Sequence, residues 1–346
     1  MKKKIIAIVL SLMLVLSITG CGKKDPIERL KTSFEKSMAM ESASQSFDMD
    51  VFIDFSEVTP EMEMVKNMLN GMKITGTMDM NQKDMSFAGK MKFDLNGMAY
   101  EMELYRGEEY FIKTPFSSKY VIISDKEEAA ELFDTEFITG FGKDMNDLIF
   151  SKLSDKNTTA KEDITIEQNG ESVKVTPISV TLTEEEAKAV FKEIMEFMLN
   201  SPEFTNQMKS NMKKEIEALE GEKTEEEIDE IYNTAVAEMD NVFKAVNEGI
   251  SLKKMDFTYY LDKKDDIRKS DIDYVMDMDM QKLVQASMAE NEDAEMPAEM
   301  NIPVISIQLK GTSDIYNINK LQEIVIPEIN EENSVGIEGM MGMPVQ

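Results

Sequence analysis

The sequence predicts an α+β fold built on an antiparallel sheet, and three observations carry that prediction. Two Asn-Gly pairs, at 96–97 and 169–170, stand between segments in which apolar and polar residues alternate, as expected of two-residue hairpin turns. In both hairpins the apolar positions of the two strands fall opposite one another and so share one face. Over residues 183–247 the apolar spacing changes from two to three or four residues, which predicts helices inserted between strands.

The strand predictions follow the alternation along the chain. Residues 47–55 are apolar at every odd position, which is typical of a half-buried strand. A two-residue turn places Met91 opposite Met102 in the first hairpin and Ile166 opposite Val173 in the second. Further strands are predicted at 72–80, 109–114, 119–124, 173–182, 252–262, 271–280 and 302–311.

The helical segments begin with residues that favour helix starts. Pro26 opens a first helix whose apolar residues recur every three or four positions. Thr183 and Glu186 form a capping box, and Ser201-Pro202 and Thr224 begin two more helices. An apolar helical stripe must cover a hydrophobic surface, so we expect this helical block to pack on the open sheet. Short helices are also predicted at about 126–134 and 144–153.

The N-terminus has the organisation of an export signal. Three lysines precede an apolar segment over residues 5–18, which is shorter than the roughly 20 residues of a membrane-spanning helix. Residues 18–21, Ile-Thr-Gly-Cys, resemble the lipobox of bacterial lipoproteins. We therefore expect cleavage before Cys21 and a diacylglyceryl anchor on its thiol, which would hold the protein at the extracytoplasmic face of the bacterial cell membrane. The alternatives are an ordinary signal peptide followed by a chance cysteine, or a buried cysteine.

These patterns divide the chain into a leader, a short connection, one domain and a tail. The leader is residues 1–20, and residues 21–26 form a tether. A single α+β domain follows over 27–330, with its helical insertion at about 184–247. Residues 331–346 are predicted to be a disordered tail.

Composition excludes several kinds of chemistry. The net charge is −29, and removal of residues 1–20, with three lysines and no acid, leaves −32. This charge excludes nucleic-acid binding through a basic patch and predicts repulsion from an anionic surface. The chain has no histidine, which rules out Ser-His-Asp chemistry and His-ligated zinc. With no phosphate loop or nucleophile elbow either, we expect no enzyme activity and no cofactor; a hydrolase is the weakest hypothesis.

Methionine is the unusual component, with 31 residues. Flexible thioether side chains on one sheet face suit ligands of variable shape, such as acyl chains. The alternatives are a core that uses Met in place of Leu, and a Cu(I) site at Met340-Met341 and Met343. The acidic runs around Asp48 and Asp273 are interpreted as solvated strand faces rather than Ca²⁺ or other metal sites. The candidate ligand-lining residues are Phe87, Met91, Phe93, Tyr100, Met102, Leu104, Met276 and Met278.

The order of these segments resembles the LolA/LppX-like superfamily of lipoproteins over about residues 25–330. The resemblance rests on the leader, the first helix, the long strand series and segments such as 109–113 and 119–123. It implies an open half-barrel, a strongly curved antiparallel sheet with helices covering its concave face. Several members carry lipid or lipopeptide cargo. The insertion at 184–247 is longer than this pattern, and no cargo-contact residue transfers by position.

Two functions follow as expectations. The first is a membrane-anchored protein that binds or carries an amphiphilic or lipid-like ligand in a Met-rich apolar cavity. The second is a non-enzymatic surface adaptor or envelope-structural lipoprotein whose helices fill the same space. A gap between the stripe at 184–247 and the sheet favours the first, and complete packing favours the second.

Overall fold

The computed structural model describes residues 25–124, 135–220, 224–288, 303–320 and 323–336. Cys21, the helix predicted at 126–134 and the methionines at 340–343 lie outside this part of the chain. The helices are α1 (Pro26–Met38), α2 (Pro60–Leu69), α3 (Thr135–Phe150), α4 (Glu184–Asn200), α5 (Pro202–Glu220), α6 (Glu225–Gly249) and α7 (Met280–Met288). The strands are β1 (Ser42–Phe55), β2 (Met72–Asn81), β3 (Ser86–Leu95), β4 (Met98–Arg106), β5 (Tyr110–Lys113), β6 (Tyr120–Ser124), β7 (Thr158–Ala160), β8 (Ile164–Gln168), β9 (Glu171–Leu182), β10 (Ile250–Asp262), β11 (Ile267–Asp279), β12 (Val304–Tyr316) and β13 (Ser334–Gly336).

The thirteen strands of the described residues form one mixed, mostly antiparallel sheet that is not closed, and the α+β class is confirmed. The strand order is β13-β6-β5-β4-β3-β2-β1-β12-β11-β10-β9-β7, and β8 pairs with the other half of β9. At the centre, β1 pairs with β12, so the two halves of the chain meet in the middle of the sheet. The strands that the sequence predicts at 72–80, 173–182 and 252–262 are present, and only their end residues differ slightly.

Both hairpin registers are confirmed. Met91 pairs with Met102, and Ile166 pairs with Val173. The turn residues Asn96 and Gly97 have φ values of 53° and 89°, and the second turn is alike, with 48° and 78°. A type I′ turn requires positive φ at both central residues, which is why Asn-Gly is favoured there.

The helix caps of the insertion are also as predicted. The Thr183 hydroxyl accepts a bond from the backbone N–H of Glu186, and the Glu186 carboxylate accepts one from the N–H of Thr183. Thr224 and Glu227 form the same reciprocal pair at the start of α6. Each cap satisfies helix N–H groups that have no partner within the helix.

Several elements differ from the predictions. The helix predicted at 144–153 is α3, which begins much earlier, at Thr135, and includes Gly140 and Gly142. Its Phe141 ring packs 5.4 Å from that of Phe197 in α4, so tertiary contact outweighs the low helix propensity of glycine. In the segment predicted to be disordered, β13 pairs in parallel with β6 and covers that strand's open edge. Helices α2 and α7 have no counterpart among the predictions.

The main core lies where α1 and α3 meet β9, β10 and β11. Leu30 of α1 is packed with Ile178 and Leu261, all at most 1% exposed. The Phe34 ring makes edge contacts with Phe150 at 5.4 Å and Tyr259 at 5.2 Å. Burial raises the pKa of Tyr259 to about 12. This packing fixes α1 across one end of the strands.

A second, smaller core lies near the opposite edge of the sheet, on β4, β5 and β6. The Tyr105 and Phe111 rings stack at 5.3 Å, and Tyr120 contacts Phe111 edge-on at 5.4 Å. The segment before β13 runs along this region, where Ile326 lies against Gly107 and the Tyr120 N–H donates to Asn333. The C-terminal part of the domain therefore closes this end.

A candidate apolar ligand cavity

One face of the sheet is apolar across eight consecutive strands. Because the pairing is regular, residues in each cross-strand row point to the same side of the sheet. One row can be followed from β4 to β9 through Tyr100, Phe93, Ile74, Met49, Gly311, Ile272, Phe257 and Val180. Neighbouring rows add the methionines of β2, β3, β4, β10 and β11. The alternation in the sequence thus produces one extended apolar surface.

Helices cover only part of this surface in the described residues. Helix α4 packs against β10 and β9, and α1 contacts β11 and β7. On β1, the contacting helix is α2. The apolar residues of β2, β3 and β4 remain half-exposed, with Met98 57% exposed at the strand end.

An apolar cavity of about 240 Å³ lies between α4 and the ends of β9, β10 and β11. Helix α4 forms one side, and the start of β10 with the end of α6 closes another. The α4 side is lined by Ala187, Val190, Phe191 and Ile194. The strand side is lined by Leu182, Ile250, Leu252, Met255, Tyr274 and Met276.

The capping box determines which side of α4 faces the cavity. It fixes the first turn of the helix directly after β9 ends at Leu182. Counting from there, the apolar residues recur at spacings of three and four and fall on one face. Ala187 is 3% exposed, whereas Ala189, two positions further, points to solvent. The sequence pattern therefore orients the helix with its apolar stripe over the strands.

The polar groups of the cavity lie at its rim. Apart from Lys188, Asn247 and the Tyr274 hydroxyl, the described lining residues are apolar. The Lys188 ammonium lies 3.2 Å from Glu184, and Glu184 also accepts a hydrogen bond of 2.6 Å from Ser251. The bond from Ser251, followed by that from Lys188, lowers the pKa of the Glu184 carboxyl. An ion pair at the rim and an apolar interior suit an amphiphile.

The Tyr274 hydroxyl of the lining is already hydrogen-bonded within the protein. The Tyr274 hydroxyl donates to the Met276 sulfur at 3.2 Å, and burial raises the pKa of Tyr274. A protonated phenol bonded to a thioether is neither a base nor a nucleophile at neutral pH. The cavity can hold an apolar group by burial and offers no group placed for acid–base catalysis among its described residues.

The candidate residues from the sequence fall into two groups. Met276 lines the cavity, and Met278 pairs with Ile250, which also lines it. The other candidates belong to β3 and β4, on the same face but separated from β11 by β2, β1 and β12. The structure does not bring these into the cavity: they are Phe87, Met91, Phe93, Tyr100, Met102 and Leu104.

Sequence reasoning missed the α4 side of the cavity. The stripe that includes Val190 and Ile194 was recognisable as the buried side of a helix, but its partner strands were not. The signal that could have identified these strands is the direct connection from β9 into the capping box. The helix that starts there folds back over β9 and the neighbouring strand β10. Leu252 and Met255 on β10 then follow from the pairing of β10 with β9.

On β1, β2, β10 and β11 the opposite face of the sheet carries charged residues that pair with one another. Lys254 lies 2.6 Å from Asp273 and 3.3 Å from Asp256, and Lys73 lies 2.8 Å from Asp48. Burial would raise the pKa of Asp273, but hydrogen bonds from Lys254 and Gln308 outweigh it and the pKa is lowered. Within the described ranges, no group of three or more acidic or cysteine side chains is placed to hold a metal ion.

None of the helices in the described part of the chain is both long enough and apolar enough to cross a bilayer. A scan of protein-family models finds none that matches this chain. A search of curated proteins likewise finds no match.

Proposed function

We propose that this protein is a membrane-anchored lipoprotein of the LolA/LppX-like type that binds the apolar chain of an amphiphilic or lipid-like ligand beneath α4. In this proposal Cys21 carries the lipid anchor, on the extracytoplasmic face of a bacterial membrane. The sheet is a curved open half-barrel, with helices over its concave face. The observation that supports ligand binding is the gap left between the apolar stripe of α4 and the strands.

The size and lining of the gap suit one segment of an acyl chain. An engineered apolar cavity of roughly 150 Å³ stays dry and binds benzene, and this one is about 240 Å³. Enclosed sites for whole drug-sized ligands begin at roughly 300 Å³. The ligand would therefore place a chain segment inside and leave its headgroup at the rim, near Lys188. Met255 and Met276 provide flexible walls that adapt to chain shape.

A second candidate is an adaptor or envelope-structural lipoprotein with a filled core. The packing beneath α1 favours it, since Leu30, Ile178 and Leu261 are almost completely buried there. The two candidates differ in whether the cavity beneath α4 is occupied by a ligand or is a packing defect.

Mass spectrometry under native conditions distinguishes them. Ala187→Leu adds three carbons inside the cavity, and Ala189→Leu adds the same atoms on the exposed side of α4. We expect the mature chain to retain co-purified lipid, A189L to retain it equally, and A187L to lose it. Lipid-free wild-type protein that also fails to take up added fatty acid favours the adaptor.

The anchor has a separate test. Cys21 is the only cysteine of the chain, so a metabolic palmitate analogue should label the wild type and leave Cys21→Ala unlabelled. The variant should be uncleaved or released from the membrane. Persistent labelling of Cys21→Ala contradicts the anchoring part of the proposal.

A further inference from the structure

A second concavity, of about 320 Å³, lies at the other end of β9 and β10 from the ligand cavity. It is formed by α1, the segment between β7 and β8, and the turn between β10 and β11. Its lining is polar and contains three cationic side chains. The lining residues are Arg29, Ala160, Lys161, Asp163, Thr176, Lys263 and Asp265.

Both acids of this concavity are already neutralised. The Arg29 guanidinium lies 2.6 Å from the Asp265 carboxylate and also donates to the Asp262 carbonyl. Asp163 accepts a hydrogen bond of 2.8 Å from Thr176 and lies 3.0 Å from Lys174.

Two cations of the concavity remain available. Within the described residues, neither Lys161 nor Lys263 forms a side-chain ion pair. With both acids engaged, these two ammonium groups give the concavity a local positive charge within a strongly acidic protein.

The concavity is also where the chain arrives from its N-terminus. The Arg29 N–H donates to the Asp25 carbonyl, so Asp25 lies one helical turn away. Cys21 lies four positions before Asp25, and four steps of extended chain span at most about 14 Å. An anchor on Cys21 therefore holds this end of the sheet close to the membrane.

The ligand cavity lies at the far end of the same strands. On β10, Asp262, beside the concavity, lies seven positions after Met255, in the cavity. At 3.3 Å per residue this is about 23 Å. The cavity and the concavity therefore lie at opposite ends of strands β9 and β10.

We propose that Lys161 and Lys263 bind the phosphate of an anionic phospholipid headgroup and seat the anchored protein with the β10–β11 turn on the bilayer. This rests on the Cys21 anchor of the proposed function. The ligand cavity is then held away from the surface, so its ligand must leave the bilayer to enter. Distant acids do not prevent docking, because charges are screened over about 10 Å at 0.1 M salt and the local lysines dominate.

The test couples the chain from Cys21 onward, which contains every described residue, to a maleimide phospholipid through its single thiol. Azide-bearing amino acids carry a donor dye at Glu171, the first residue of β9, or at Glu185, in the first turn of α4 just beyond the other end of β9; both residues are exposed. Vesicles contain a headgroup acceptor and either phosphatidylcholine alone or an equal mixture with phosphatidylglycerol. The twelve residues of β9 separate the two dyes by about 40 Å.

On phosphatidylglycerol vesicles we expect strong energy transfer from position 171 and weak transfer from position 185. Each lysine at an anionic surface contributes about fivefold to binding, so Lys161→Ala with Lys263→Ala should lower the equilibrium constant for seating about 25-fold. Lys90→Ala with Lys92→Ala, the same charge change on exposed residues of β3, should have no such effect. Equal transfer from both positions, or equal effects of the two double variants, overturns the proposal.

Inorganic phosphate distinguishes the source of the anion. Saturable binding of free phosphate by the unanchored protein, without seating on vesicles, means a site for the free ion and overturns membrane docking. The lipid is coupled to Cys21 chemically, so this test does not depend on whether cells acylate Cys21. It also does not depend on whether the cavity beneath α4 holds a ligand, so failure of membrane docking and failure of the proposed function are distinguished.

Discussion

The covered and uncovered parts of the apolar sheet face have the same alternating sequence and very different burial. On β9, Ile178 and Val180 are at most 5% exposed beneath α1. On β2 and β3, Ile74 and Phe93 occupy equivalent positions of the same face and are half-exposed. The alternation of apolar and polar residues therefore determines on which face of the sheet a side chain lies. The helices determine which part of that face becomes core.

The cavity lies at the boundary between these two parts. Towards α1 the packing is complete; towards β12 and β1 the contacting helices are the short α7 and α2, and the apolar residues of β2, β3 and β4 are half-exposed. Beneath α4 the stripe contacts the strands but leaves a gap. A partly covered face of this kind can admit an apolar chain from its open side, which neither a filled core nor a bare sheet offers.

The largest expected effect is on stability and separates the two parts directly. Ile178→Ala removes a completely buried side chain and should lower the free energy of unfolding by roughly 2–5 kcal/mol. The matched Ile74→Ala, at a half-exposed site, should cost less than about half as much. Urea unfolding followed by circular dichroism measures both. Equal losses contradict the distinction between covered and uncovered surface.

Two glycine substitutions, one on the sheet and one on a helix, should change the free energy of unfolding in opposite directions. A Cβ atom at Gly76 of β2 would overlap the Phe47 ring and lie 2.7 Å from the Lys90 carbonyl, so Gly76→Ala should destabilise by roughly 1–3 kcal/mol. Gly140 of α3 has open space around it, and Gly140→Ala should stabilise by about 0.5–1 kcal/mol. Thermal unfolding of the two variants gives the signs, and a stable G76A would show that this region repacks freely.

The smallest effect concerns pH and the charged face. The folded pKa of Asp273 is lowered, so its contribution to stability is present above the unfolded value near 3.9 and is lost as pH falls through the folded value. Asp273→Asn should cost about 0.5–1 kcal/mol at pH 7 and nearly nothing at pH 2, since the group is partly exposed. Unfolding at both pH values tests it; an equal loss at both would mean that the ionised carboxylate is not responsible.

Local signals explain which parts of the fold were predictable. The Asn96-Gly97 turn and the Thr183 capping box act within a few residues, so hairpin registers and helix starts could be read directly. The pairing of β1 with β12 joins residues far apart in the chain, and nothing local specifies it. For the same reason Met276 could be chosen from its strand pattern, whereas the choice of Val190, which lines the same cavity, depends on which strands α4 covers.

The central claim is that an apolar chain enters beneath α4, and photoaffinity mapping tests it most directly. A fatty acid with a diazirine on its chain would be bound to the mature protein, irradiated, and its attachment sites read by peptide mass spectrometry. We expect adducts on α4 and on residues 250–276 that are lost in Ala187→Leu and kept in Ala189→Leu. Adducts confined to β3 and β4, or unchanged by Ala187→Leu, would contradict it.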